Sequence, residues 1–393
     1  MHEPIMALKE ASEELSKATP VPERKPGRIA AIDWMRGLVM VLMVIDHASM
    51  AFDGHHVAED SALYEGSTRA ALPGGEFFTR WITHLCAPTF VFLGGTSLAL
   101  SVERRVVKGA RPWDIDRAIL TRGAIIALLD PTLISIGSGR WTFQVLFAIG
   151  LSMICMALLR RFPTWALLAL GLGWMALGEF PTRWAWSPPG SATPLAAFTV
   201  ATYGGDKMIV KYPLLPWLAM MILGWVFGRY LTQYKPQSGR LAPKTILCYA
   251  GLGALALFAI VRASRGYGDM FLHRAGNSWQ QWLHVSKYPP SLTYSSLELG
   301  ILFLCLALLM TIEPVIGVRP NGILLVFGQT AMFFYLVHRL AFEIPATYLG
   351  LRGAGNLATT YWVSALMLVL LYPACRWFRS VKTAHANSFL KYF

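Results

Sequence analysis

Three histidines stand beside charged residues in stretches that are otherwise apolar: His47 follows Asp46, His84 lies four residues after Arg80, and His338 precedes Arg339. Ionisable groups in such surroundings are costly and usually mark function. A histidine next to a carboxylate is the common unit for proton abstraction near neutral pH, because the acid fixes the tautomer and supports the imidazolium. His47, Asp46 and His84 are therefore the candidate catalytic residues, with Arg80, His338, Tyr335 and Gln329 as candidate substrate-binding residues. Adjacent residues on a helix point about 100° apart, so Asp46 orients either His47 or another group. Each residue taken singly also has a structural reading. A histidine can staple two helices, and Arg80 or Arg339 can snorkel to an interface.

The elements that must position these groups follow from composition. The 393 residues are 55% hydrophobic and 15% charged, with a formal net charge of +13. The mean hydropathy is +0.46. This excludes a disordered chain and disfavours a soluble two-domain enzyme. A span needs about 20 apolar residues, and ten segments qualify: 30–52, 77–101, 115–138, 141–160, 162–180, 212–232, 243–262, 291–312, 321–347 and 358–378. With the N-terminus inside, Lys and Arg on inner loops outnumber those on outer loops by about two to one. The expectation is an all-α integral membrane protein of about ten transmembrane helices with both termini cytoplasmic. Residues 1–27 read as a cytosolic polar tail without a cleavable signal, 28–380 as one transmembrane domain and 381–393 as a C-terminal tail. The five cysteines are scattered and lack metal-ligand spacing, so no metal is expected. The basic excess reads as an orientation signal, which removes the reason to expect a nucleic-acid partner.

Helix geometry sets the depth of each group. Asp33 and Arg36 lie near the inner end of the first span, and Asp46–His47 about 20 Å further along it. The second span returns inward past Arg80 and His84. The ninth runs outward past Gln329, Thr330 and Tyr335 to His338 and Arg339, about 25 Å up. Three histidines from three helices thus reach one level, which favours a polar pocket over three separate staples. A second polar set, Asp33, Arg36 and Arg122 with the basic loop Arg104, Arg105, Lys108 and Arg111, reads either as positive-inside topology with a salt bridge or as a phosphate-binding mouth. Gly94-Gly95-Thr96-Ser97 permits close approach of another helix or a narrow ligand. Long outer loops carry Trp184, Trp186, Trp279, Trp282, Tyr64, Tyr203 and Tyr267, either an aromatic belt or a roof over a sugar-binding site. A basic inner mouth and an outer His/Asp/Arg pocket suit a proton-coupled transporter or flippase as well as an enzyme passing a group across the membrane. No pairing of broken helices in two halves is visible, which favours the enzyme.

Asp33-x-x-Arg36-Gly37 followed by His47 resembles the first-helix pattern of the membrane acyltransferase family 3 enzymes. More closely, Arg28 to Ser101, with Trp81-Ile82-Thr83-His84 and Phe90-Val91-Phe92-Leu93-Gly94-Gly95-Thr96-Ser97, is similar to bacterial relatives of heparan-α-glucosaminide N-acetyltransferase. Gly328-x6-Tyr335-x2-His338 resembles a helix of the same family. These motifs cover about a quarter of the chain. The resemblance implies transfer of acetyl, or another short acyl group, from cytosolic acyl-CoA as co-substrate to an amine or hydroxyl of a glycan or glycolipid on the outer side. It implies His47 as the base, with His84 and His338 binding acceptor or stabilising charge and Arg80 favouring a developing oxyanion. Asp33, Arg36 and Arg122 then face the CoA. It also implies a catalytic histidine between the first two helices, where this chain has His55 and His56. The expected location is a bacterial inner membrane, with the bilayer as partner and a homodimer as one assembly the sequence allows.

Overall fold

Apolar periodicity gives helices in all ten segments. The computed structural model describes residues 29–56, 60–61, 74–136, 139–188, 192–385 and 388–392. The expected N-terminal tail and Tyr64 lie outside the described residues. In chain order the first elements are α1 (Ala30–Phe52), α2 (Gly74–Thr83), α3 (Cys86–Val107) and α4 (Pro112–Leu129), followed by a π-helical turn, Asp130–Ile134. Then come β1 (Trp141–Phe143), α5 (Val145–Leu159), α6 (Thr164–Leu177), α7 (Glu179–Ala185), α8 (Pro194–Thr199), β2 (Tyr203–Gly204), β3 (Met208–Val210) and α9 (Leu214–Gln233). The chain continues through α10 (Pro243–Ser264), α11 (Trp279–Leu283), α12 (Leu292–Ile316), α13 (Ile323–Gln329), α14 (Ala331–Tyr348) and α15 (Leu357–Ala384).

The protein is mostly helical. Among the described residues six stretches are long and apolar enough to cross a membrane: α1, α2 with α3, α9, α10, α12 and α15, or seven if the bent pair α13–α14 counts as one span. The shorter α5 and α6 are also apolar. Large side chains such as Trp165, Ile260, Leu366 and Val369 are exposed on α6, α10 and α15. Outward apolar faces of this kind suit lipid, which solvates them as well as a protein core would. Extensive helix packing pairs α3 with α9, α10 with α12 and α4 with α5.

Three departures from ten plain helices shape the site. The segment 141–160 opens as a strand: β1 runs parallel to β3, and β3 antiparallel to β2, making a small three-stranded sheet from what reads as span and loop. The second segment breaks at His84–Leu85. Pro88 has no N–H to return to the His84 carbonyl, and the Tyr294 hydroxyl donates to that carbonyl instead, at 3.2 Å. The ninth segment bends by 90° at Thr330. Glycines explain how α13 is held there. A Cβ on Gly328 would stand 1.9 Å from the Asp33 carbonyl oxygen, and one on Gly37 would stand 2.0 Å from that of Leu324. Only hydrogen at both positions lets α13 lie directly on α1.

Candidate active site

α1 aligns Met40, Met43, His47 and Met50 along one face, at helical spacings of three, four and three residues. His47, Met43 and Met50 face a cavity of about 120 Å³. Its wall also includes Asp46, His56, Arg80, Thr83, Gln144, Lys211, Tyr212, Lys287, Tyr288 and Tyr335. Space of this size holds several waters or a small polar group.

The Nδ1 of His47 lies 2.7 Å from the Nε2 of His338, and the two rings stack with centroids 5.0 Å apart. His338 Nδ1 is 2.7 Å from the Phe334 carbonyl oxygen one turn back on α14. A carbonyl can only accept, so His338 Nδ1 carries the hydrogen, and in the neutral ring its Nε2 is an acceptor. His47 Nδ1–H therefore donates to it. The lone pair of His47 then sits on Nε2, in a ring that borders the cavity. The Tyr335 ring stands edge-on 6.0 Å from His47, and its buried hydroxyl has no hydrogen-bond partner among the described residues.

Asp46 does not orient His47. Its Oδ1 accepts from Arg80 Nη1 at 2.6 Å and from the Thr83 hydroxyl at 2.9 Å. Arg80 Nη2 donates to Asp60 Oδ2 at 2.5 Å, and His84 Nε2 lies 3.0 Å from the same oxygen. Burial alone would raise the Asp60 carboxyl, but Arg80 and the His84 hydrogen bond hold it far below the usual carboxylate range. Arg80 is thus fixed between two carboxylates. His84 is absent from the cavity wall and buttresses Asp60 from behind. Of the three histidines expected at one level, two meet and the third supports the wall.

Loops complete the cavity. His56 Nδ1 lies 2.8 Å from the Ser49 hydroxyl, and burial, then Arg80, pushes this imidazole down to about 4. His55 is exposed and sits 3.9 Å from Asp53. Lys287 is buried, and its ammonium and that of Lys211 stand 5.4 and 5.5 Å from the Tyr288 ring. Burial would raise the Tyr288 phenol, but Lys287 and Arg80 more than offset this and lower it. Asp60, Gln144, Lys211, Tyr212, Lys287 and Tyr288 were not expected from sequence. Lys211 and Lys287 read as ordinary outer-loop charges there, and the others carry no local signal.

The remaining expected residues lie elsewhere. Gln329 ends α13 before the bend, and its Oε1 accepts from Arg379 Nη1 at 3.3 Å, so it does not line the cavity. Arg339 is buried with Nη1 3.9 Å from Glu343 and is likewise absent from the wall. Arg36 bonds Asp33 at 3.3 Å, the Leu93 carbonyl at 3.0 Å and the Ser97 hydroxyl, tying α1 to α3. Both of its terminal nitrogens bond within the bundle. Arg122 is exposed on α4 and joins no ion pair with this set among the described residues. Trp184 is 92% exposed and Trp186 is buried in a separate apolar cluster; none of the outer-loop tryptophans lines the cavity. Asp130 stands in an apolar segment with no neighbouring charge to mark it. Its buried Oδ2 accepts the N–H groups of Gln144 and Phe147, capping the start of α5 at the cavity edge.

A histidine-bearing polar cavity lies among helices long and apolar enough to cross a membrane. Residues 28–261 match the catalytic-domain family of heparan-alpha-glucosaminide N-acetyltransferase. The match covers more than half of the chain, which belongs to that family and is a membrane acyltransferase. No curated protein matches it. The matched region carries Asp46, His47, Asp60, Arg80 and His84, whereas Lys287, Tyr288, Tyr335 and His338 come from beyond it.

Proposed function

We propose that the chain transfers an acetyl or other short acyl group from cytosolic acyl-CoA to an amine or hydroxyl on an acceptor at the outer side of the membrane. The observation that carries this reading is the His338-to-His47 relay, which leaves an unprotonated Nε2 beside a polar cavity. The acceptor N–H or O–H gives its proton to His47 Nε2 as its heteroatom attacks the thioester carbonyl. The C–S bond then breaks, and the CoA thiolate takes the proton back from the imidazolium, so protons balance over the cycle. Tyr335, with its free hydroxyl, is the donor best placed to meet the carbonyl oxygen as it becomes an oxyanion. Arg80 instead holds Asp46 and Asp60 and sets the shape of the wall.

The topology belongs to the same reading: ten crossings, both termini cytoplasmic, in a bacterial inner membrane. The basic loop after α3 faces the CoA side, and the acceptor is an envelope glycan or glycolipid. The test uses membranes carrying the chain, supplied with acetyl-CoA labelled in the acetyl group. Label should enter glycan or glycolipid, and His47→Ala should lower the rate about a thousandfold. Equal labelling by the variant would overturn the assignment of the base, and no labelling above vector membranes would overturn the reaction.

A further inference from the structure

Two ammonium groups border the cavity that His47 faces, and no counter-charge meets either. Lys287 is 3% exposed and Lys211 is half-buried. Among the described residues neither side chain forms a hydrogen bond or an ion pair, and each has only the Tyr288 ring nearby. The nearby carboxylates are committed elsewhere: Asp46 accepts from Arg80 and Thr83, and Asp60 is bonded by Arg80 and His84. Backbone contacts place both lysines. β1 and β3 pair with Phe143 opposite Val210, so the next residues, Gln144 and Lys211, enter the wall together. The Lys211 N–H donates to the Phe143 carbonyl at 3.0 Å. The Lys287 N–H donates to the Asp60 carbonyl at 2.8 Å, and the Ser61 hydroxyl donates to the Tyr288 carbonyl. Separate loops thus bring two positive charges to one polar space.

A buried charge is costly unless it is paired. An ammonium carries three donors and no acceptor, and an aromatic face more than 5 Å away offers it little. The counter-charge for Lys287 must therefore come from what enters the cavity. The donor does not bring it there. Its thioester carbonyl has to stand beside His47, an acetyl group is uncharged, and the CoA phosphates lie at the far end of the pantetheine arm. The acceptor is left. Resting on the acyl-transfer reading above, we propose that the acceptor carries an oxyanion, a carboxylate or a phosphodiester, close to the amine or hydroxyl that is acylated, and that Lys287 and Lys211 hold it. The oxyanion anchors the sugar while its nucleophile faces the base. Uronic-acid residues and phosphodiester-linked sugars both present this chemistry, and neutral sugars lack the anchor.

Calorimetric titration of the purified full-length protein with methyl glucoside, methyl glucuronide, glucosyl methyl phosphate and acetyl-CoA tests this. A charge-assisted contact is worth about tenfold or more in binding, so an acidic sugar should bind at least about tenfold more tightly than methyl glucoside. Whichever acid binds more tightly identifies the source of the oxyanion. Lys287→Met and Lys211→Gln should each reduce that preference about tenfold while leaving acetyl-CoA affinity within about twofold. Lys287→Met removes a buried charge without a partner, so it should melt no lower than the unaltered protein. Lys211→Gln, at a half-buried position, keeps the test open if the first variant fails to fold. Equal binding of acidic and neutral sugars, no binding of either acid, or a preference that neither variant reduces overturns the oxyanion site alone. So does a loss of acetyl-CoA affinity in the lysine variants, which would give the ammonium groups to the CoA phosphates. Failure of acetyl-CoA to bind the unaltered protein overturns the acyl-CoA reading itself.

Discussion

His338 Nε2 stands 2.7 Å from His47 Nδ1, and its own Nδ1 is committed to the Phe334 carbonyl. Under the proposed function, the second histidine stands where a carboxylate usually fixes a catalytic imidazole. A neutral partner sets the tautomer but gives little charge support to an imidazolium, so the base should lose its proton readily after each transfer.

His338→Leu should leave acyl-CoA affinity within about twofold and lower kcat by about a hundredfold or more, because His47 Nδ1–H loses its acceptor and with it the tautomer control. Initial rates across pH provide the check. A relay role predicts a displaced acid limb of the kcat profile, whereas a uniform drop at every pH would mean that His338 only packs.

The Arg80 cluster should act on stability before it acts on rate. Asp60→Ala leaves a buried guanidinium with one carboxylate instead of two and removes the partner of His84. Breaking a buried pair in this way costs about 3–5 kcal/mol, so the melting temperature in detergent should fall by many degrees. His84→Ala should be milder and keep more than about a tenth of the rate, in contrast to His47→Ala. A loss in His84→Ala as deep as that in His47→Ala would restore His84 to a catalytic role.

How these residues read in the sequence follows from what each depends on. Helices are visible because apolarity and spacing are local, and His47 and His338 stand out because a polar group in such a run is rare. Asp60 and Lys287 are hidden because each enters from a loop, and their partners come from tertiary contact: Asp60 meets Arg80, and the Lys287 backbone N–H bonds the Asp60 carbonyl. Asp46 shows the same limit from the other side. Its neighbour in sequence is His47, yet its partner in space is Arg80, because adjacent helix positions diverge. The bend at Thr330 has no proline to announce it. It accompanies the close seating of α13 on α1, which only the fold displays.

Acid should destabilise the protein through His56 in a defined window. Its folded-state value is about 4 against an ordinary 6.5. A depressed histidine favours the folded state above about 6.5, and that contribution is lost as pH falls from about 6.5 toward 4, because the unfolded chain takes up the proton first. His56→Gln should flatten the fall in melting temperature across this window while leaving the value at pH 8 within a few degrees. An unchanged slope between pH 6.5 and 4 in the variant would assign the acid sensitivity to other groups.

The glycine pair provides the sharpest structural test. Gly37→Ala would bring a Cβ to 2.0 Å from the Leu324 carbonyl, and Gly328→Ala to 1.9 Å from that of Asp33. Both obstacles are backbone, so neither can be relieved by turning a side chain. α13 must move off α1, and α14, which carries Tyr335 and His338, begins one residue after α13 ends. Each substitution should therefore cost about 2 kcal/mol or more in stability and also lower kcat, although neither glycine touches the cavity. Serine at Gly173, where a Cβ meets nothing within 4 Å, is the matched control and should be silent in both measurements. Thermal melts and initial rates on the three variants settle the matter, and normal activity in Gly37→Ala and Gly328→Ala would mean that the contact between α1 and α13 does not position the His338 side of the site.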